Sequence, residues 1–392
     1  GGFTFVVFKT YKMNDMKGKQ GLVCMGLLLV LSSCHTGKQI TASGLQRKDF
    51  QTEVNGQHTD LFTLSNKQGM EVCITNYGAR VVSILVPDRN GKREDVVCGF
   101  STITEYMEQR QNFGSTVGRY IGRILNARFT LDGVEYKLVP NNGKSGHISH
   151  GGNPGFADRI WKVEQADTHR VRLSYLSPDG ENGFPGNLKV TLVYSLGEDD
   201  NALDLTYEAT TDAPTVLNLS HHSFFNISGN FTKSVEDQQL WVDADRFTPY
   251  DDKKCVTGEY LPVAGTPLDF RMPHTIGECI DADHPQLKVV NGYDHTWELN
   301  TKGDDTRPAA WVYDPASGRK MEIFTTEPGM QIYTGNGLKG KMTGKGGIAY
   351  PFRSAVCFET MHFQDSPNQP GFPSTVLRPG EVFRSHTVYK FE

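Results

Sequence analysis

Apolar residues recur at every second position through much of the chain beyond Leu45. In L-K-V-T-L-V-Y-S-L (188–196), Leu188, Val190, Leu192, Tyr194 and Leu196 share one side; in A-L-D-L-T-Y-E-A-T (202–210), Leu203, Leu205, Tyr207 and Ala209 do the same. Strand side chains point alternately to opposite faces, so each run reads as a strand with one buried face. R-V-R-L-S-Y-L (170–176) and, less cleanly, F-R-S-H-T-V-Y-K-F (383–391) add two more. Turn residues separate the runs, at Asp88-Arg89-Asn90-Gly91, Asp132-Gly133, Gly197 to Asn201 and Ser317-Gly318. The 41 glycines and 19 prolines are scattered, which fits many turns between many strands. Helical patterning is scarce, and T-I-T-E-Y-M-E-Q (102–109), opening on capping-box spacing, is its best instance. No glycine-rich nucleotide loop and no fixed-period repeat is present. A chain of 392 residues suggests two or three domains on length alone, yet all-β domains run to roughly 250 residues as one unit. The expected fold is all-β, one large antiparallel β-sandwich over residues 45–392.

The N-terminus has a different character. Residues 1–12 precede Met13 and are set apart as upstream sequence. Lys17 and Lys19 are followed by the apolar run G-L-V-C-M-G-L-L-L-V-L (21–31) and then L-S-S-C, ending at Cys34. The run is far shorter than the roughly 20 residues a membrane-crossing helix needs, and it fits the core of a secretory signal peptide. L-S-S-C resembles the lipobox of bacterial lipoproteins, in which the cysteine is lipidated; a short buried helix is the alternative. The expectation is a signal segment within 1–33, a lipidated Cys34 with a polar tether over 34–44, and export. The exported chain would sit in the periplasm or on the outer membrane of a Gram-negative-type bacterium. It would touch membrane only through its lipid, as a monomer or weak dimer. Beyond Cys34 the cysteines are Cys73, Cys98, Cys255, Cys279 and Cys357, with no metal-ligand spacing. Cys73, Cys98 and Cys357 lie in apolar runs and read as core; Cys255 and Cys279 are a pair that could bridge. A formal charge of −5 argues against a nucleic-acid partner.

N-L-S-H-H-S-F-F-N (218–226) carries two adjacent histidines. On a strand, Leu217, Leu219, His221, Ser223 and Phe225 share one face, and Asn218, Ser220, His222 and Phe224 the other. Both imidazoles therefore cannot enter one cleft, and His222, on the more polar face, is the candidate proton donor. A structural histidine is the plain alternative. A-V-C-F-E-T (355–360) sets Glu359 inside an apolar strand, where a carboxylate is costly unless paired. F-G-S-T-V-G-R-Y-I-G-R-I (113–124) offers Arg119 and Arg123, and G-H-I-S-H-G-G (146–152) offers His147 and His150. P-L-D-F-R, G-Y-D-H-T-W and P-G-M-Q-I-Y-T-G-N contribute Asp269, Asp294, Gln331 and Tyr333. A surface ion pair for Arg119, a turn for Asp269 and a loop for His147 are the ordinary readings.

Taken in order, G-R-Y-I-G-R-I, H-I-S-H-G-G, G-F-P-G-N-L, N-L-S-H-H-S-F-F-N, G-T-P-L-D-F-R, G-Y-D-H, P-G-M-Q-I-Y-T-G-N and F-E-T-M-H-F-Q-D-S-P-N resemble the aldose 1-epimerase (galactose mutarotase) family from Leu45 to Glu392. The resemblance implies a galactose-mutarotase-type β-sandwich that interconverts the anomers of a free aldohexose, with no cofactor and no metal. It implies His222 as general acid and Glu359 as general base. Arg123, His150, Asp294 and Gln331 match sugar-binding positions, with Arg119 and Tyr333 in support. In one departure, Gly122 stands where many members have Asn, which puts substrate preference in question.

That chemistry needs a base at the C1 hydroxyl and an acid at the ring oxygen, each contributing about 10²–10⁴-fold. It is expected to rest with Glu359 ionised and His222 protonated, the imidazolium favoured by Asp294. Phe113, Tyr333 or Trp297 is expected to cover the sugar's apolar face. Two rival classes share these groups: a glycoside hydrolase pairing Glu359 with Asp294 or Asp269, and a non-catalytic sugar-binding lipoprotein.

Overall fold

The computed structural model describes residues 39–392. The signal segment, Cys34 and the start of the tether lie outside the described residues. The tether expected to run to Gly44 is already fixed from Ile40, which bridges to Gln46, while Ala42 and Ser43 donate to Glu71 Oε1 at 2.7 and 3.2 Å.

Three antiparallel sheets dominate. The largest has nine strands, in the order 162–166, 170–177, 188–196, 202–211, 383–391, 320–325, 310–313, 239–242 and 274–275. Its long central strands are the alternating runs of the sequence, and Leu188 to Leu196 alternates buried with more exposed residues as the period requires. A six-stranded sheet runs 224–225, 356–361, 329–333, 294–298, 246–248 and 261–262, and a four-stranded one 61–65, 71–75, 80–87 and 93–95. One hydrophobic core joins Val190, Leu192 and Tyr194 of the first sheet to Trp297, Met330, Ile332, Val356 and Phe358 of the second and Val72 of the third.

The strands that carry the cleft are β1 (Arg123–Ile124), β2 (Ile148–Ser149), β3 (Ser220–His222), β4 (Asp294–Glu298), β5 (Gly329–Tyr333) and β6 (Val356–Met361). The helix expected at 102–109 is α1, Ile103–Gln109, with Thr102 and Glu105 forming a reciprocal capping box. A second helix, α2 (Pro285–Val290), is not marked by any periodic run. The described cysteines are all free, so Cys255 and Cys279 form no bridge; Cys73, Cys98 and Cys357 are buried as expected.

Candidate active site

The pleat of the six-stranded sheet divides core from cleft. On β5, Met330 and Ile332 enter the core, so Gln331 and Tyr333 face the other way; on β6, Val356 and Phe358 enter it, which turns out Glu359. Register then assembles the polar set, placing Gln331 opposite Glu359 and, on its other side, opposite Thr296, with Asp294 opposite Tyr333. The same rule separates the adjacent histidines. His221 lies on the core side, its Nε2 2.7 Å from Ser223 Oγ and its ring against Tyr194 and Tyr389. His222 faces the cleft, stacked on Phe224 at 5.1 Å with the rings 18° apart.

The cleft, about 250 Å³, brings His222, Glu359, Arg123, His150, Asp294 and Gln331 together, with Tyr333 in its wall. His222 Nε2 lies 3.4 Å from Glu359 Oε1, and both side chains are almost wholly buried. Burial holds the imidazole well below its ordinary range, with nearby His150 adding to the effect. Burial also holds the Glu359 carboxyl well above its range, with the Asp294 charge adding to it. Against the expected resting charges, burial in the cleft disfavours both the imidazolium and the carboxylate, and the Asp294 charge adds to the effect on Glu359. The neutral pair and the ion pair hold the same number of protons and differ by one transfer between them. In water the carboxyl is the stronger acid by about two pKa units; burial moves the two values toward each other from that starting point.

The surrounding groups have fixed orientations. Gln331 Oε1 accepts from Thr296 Oγ1 at 2.5 Å, which leaves its Nε2 to donate to Asp294 Oδ1 at 2.7 Å. Asp294 is raised by burial and held back by the Arg123 charge. Burial and the Arg123 charge push His150 down to about 4, which favours the neutral ring. It sits at φ +52°, edge-on to His222 at 5.5 Å.

Other expectations change. Arg119 is neither a surface ion pair nor a cleft residue. Its guanidinium is buried and donates to Pro185 O at 2.7 Å, Gly186 O at 3.0 Å and Ser177 Oγ at 2.6 Å. The irregular glycine-rich segment between Arg119 and Arg123 has no fixed period, so spacing could not place the two on different sides. Trp297 faces the core and donates to Leu268 O, and Phe113 packs edge-on behind Phe224; of the three aromatics only Tyr333 reaches the cleft. Asp269 is paired with Arg271, and His147 Nδ1 accepts from Asn126 N–H beside Cys255.

Gln364 and Tyr250 are polar groups of the cleft region that no sequence pattern marks. Gln364 Nε2 donates to the Tyr250 hydroxyl at 2.7 Å, and its Oε1 accepts from the Arg123 N–H at 3.3 Å. Both lie outside periodic runs, although Gln364 falls within the quoted F-Q-D-S-P-N. For metals, His222, Cys357 and Glu359 bring donor atoms within 4.8 Å of one another, but burial holds the Cys357 thiol far above its range, opposing the thiolate a metal would need.

A buried histidine–carboxylate contact beside oriented polar side chains, on a large β-sandwich, defines a site of the class that can exchange protons with a small polar ligand. Residues 60–390 match the sequence profile of the aldose 1-epimerase family, so the chain belongs to that family. It is 39% identical over 330 residues to the galactose mutarotase of Sus scrofa, covering 84% of this chain and 93% of that protein. The aldose 1-epimerase of Escherichia coli (strain K12) is 36% identical over 339 residues, covering 86% of this chain and 96% of its own. Among solved structures, an aldose epimerase homologue from C. elegans superposes with a TM-score of 0.78 at 31% identity, covering 85% of this chain and 99% of the other. The galactose 1-epimerase from Lactobacillus acidophilus superposes with a TM-score of 0.75 at 28% identity, covering 87% and 96%.

Proposed function

We propose that this protein is an aldose 1-epimerase, an isomerase that interconverts the α and β anomers of a free aldohexose of the galactose or glucose type. The observation that carries the reading is the buried contact of 3.4 Å between His222 Nε2 and Glu359 Oε1 in a cleft of monosaccharide scale. Glu359, as carboxylate, takes the proton of the C1 hydroxyl while His222, as imidazolium, gives one to the ring oxygen. The bond from C1 to the ring oxygen breaks and the aldehyde forms. Rotation about C1–C2 presents the other face, and the reverse transfers close the ring. Opening converts the ion pair into neutral imidazole and protonated carboxyl, the forms that burial favours. Arg123, His150, Asp294 and Gln331 hold the remaining hydroxyls, and Tyr333 borders the ring.

The test is nuclear magnetic resonance exchange between the anomers of D-galactose and D-glucose. Acceleration by the protein that is lost in His222→Ala supports the reading, and unchanged exchange in both sugars removes it. A glycoside hydrolase would instead release reducing sugar from glycosides. Lys17, Lys19, the apolar run 21–31 and Leu31-Ser32-Ser33-Cys34 support a lipid anchor at Cys34 and a place outside the cytoplasmic membrane. Mass spectrometry of the full chain and of Cys34→Ala tests it: acylation absent from both contradicts the anchor.

A further inference from the structure

We infer that Gln364 is a binding residue of the aldose cleft, supplying from the segment after β6 the side-chain amide that Gly122 does not carry; this rests on the proposed reading of the cleft as an aldose site. Gln364 is 4% exposed and lines the cleft beside Gln331 and Arg123. Gly122 has φ +76°, and a Cβ built on it would meet Gln364 Cγ at 2.6 Å. The two positions therefore compete for one space: with Gln364 in place, position 122 has no room for a side chain.

The amide's hydrogen bonds are only partly used. A glutamine has two N–H donors and two acceptor lone pairs. One donor goes to the Tyr250 hydroxyl at 2.7 Å and one lone pair to the Arg123 N–H at 3.3 Å. The second donor meets only Gln331 Oε1, at 3.4 Å, and that oxygen already accepts from Thr296 at 2.5 Å. One acceptor lone pair, and a donor held only by that long 3.4 Å bond, thus lie beside the sugar-binding groups, a pair that suits a hydroxyl able to do both. The bond to the Arg123 N–H and the contact with Gln331 also tie the amide to the two flanking groups, so it positions them as well as the ligand.

Gln364→Met keeps the length and removes the polar atoms. The inference expects KM for D-galactose and D-glucose to rise about five- to tenfold, the size of one lost neutral hydrogen bond. kcat should change less than KM, and the Tyr250 hydroxyl and Arg123 backbone N–H left without Gln364 should lower Tm by a few degrees. Direct calorimetric titration with each sugar should weaken by the same factor, independently of turnover. In Gln364→Ala, the freed space should admit Gly122→Asn, since Asn tolerates positive φ, and the added amide should recover most of the lost affinity. Gln364→Met with wild-type KM and affinity for both sugars would make Gln364 a packing residue and overturn the inference. Anomer exchange unaffected by the wild-type protein, with no sugar binding, would instead overturn the aldose reading and this inference with it.

Discussion

Burial acts on His222 and Glu359 in opposite senses, lowering the proton affinity of one and raising that of the other. The carboxyl therefore has little to lose structurally from becoming an amide. Glu359→Gln should reduce kcat by at least about 10²-fold while Tm stays within a few degrees and sugar still binds; polarimetry, a thermal melt and a titration check the three parts. The neighbouring ring gives the opposite signature. His221 is held by Ser223 within the core, so His221→Ala should cost about 1–3 kcal/mol in denaturant unfolding yet leave KM nearly unchanged. The sequence made this asymmetry readable, because period-two geometry forces adjacent residues apart. It also marked Glu359, through the cost of a carboxylate in an apolar run. It could not expose Gln364 or Tyr250, whose roles come from loops folding back over the sheet, nor the pair's resting charges, which depend on burial that no local pattern encodes.

At the scale of elements, strands long enough to show several alternations were readable, as Leu188–Leu196 and Ala202–Thr211 illustrate. Two-residue strands such as β1 and β2 carry no period, and α2 spans six residues, under two turns. Its cues, Pro285 at the first turn and His284 as N-cap, are local and weak. Arg119 shows how an irregular segment is pinned. Its donors satisfy carbonyls of the 185–186 loop and the hydroxyl of Ser177, which ends a long strand. Arg119→Met would leave those acceptors buried and unpaired, and should cost about 3 kcal/mol or more. The loss should appear in unfolding midpoints and not in KM, which would separate this arginine from Arg123.

Across the molecule, the nine-stranded sheet has a charged clasp far along the chain from the cleft residues of β1 and β2. His386 sits between Asp204 and Asp305, with 2.6 Å from Nε2 to one and from Nδ1 to the other. Those hydrogen bonds, Asp204 first, raise the imidazole to about 9 against an unfolded value near 6.5. A raised folded pKa stabilises fully below the unfolded value, and the contribution is lost as pH rises through about 9. Tm should therefore fall by a few degrees between pH 7 and 10, and the part of the slope due to the clasp should vanish in His386→Gln. The sheet itself was readable in the sequence, whereas the clasp was not, since its third member comes from a loop. The same holds for the cleft: alternation defines two faces per strand, but only the packing of the sheets decides which becomes core. The central claim is that His222 and Glu359 together move the protons of ring opening. Optical rotation of freshly dissolved α-D-galactose tests it most directly, using the full chain beside His222→Ala and Glu359→Gln. Rapid relaxation with the wild type and the spontaneous rate with both variants is the predicted result; relaxation at the wild-type rate in either variant would contradict the account.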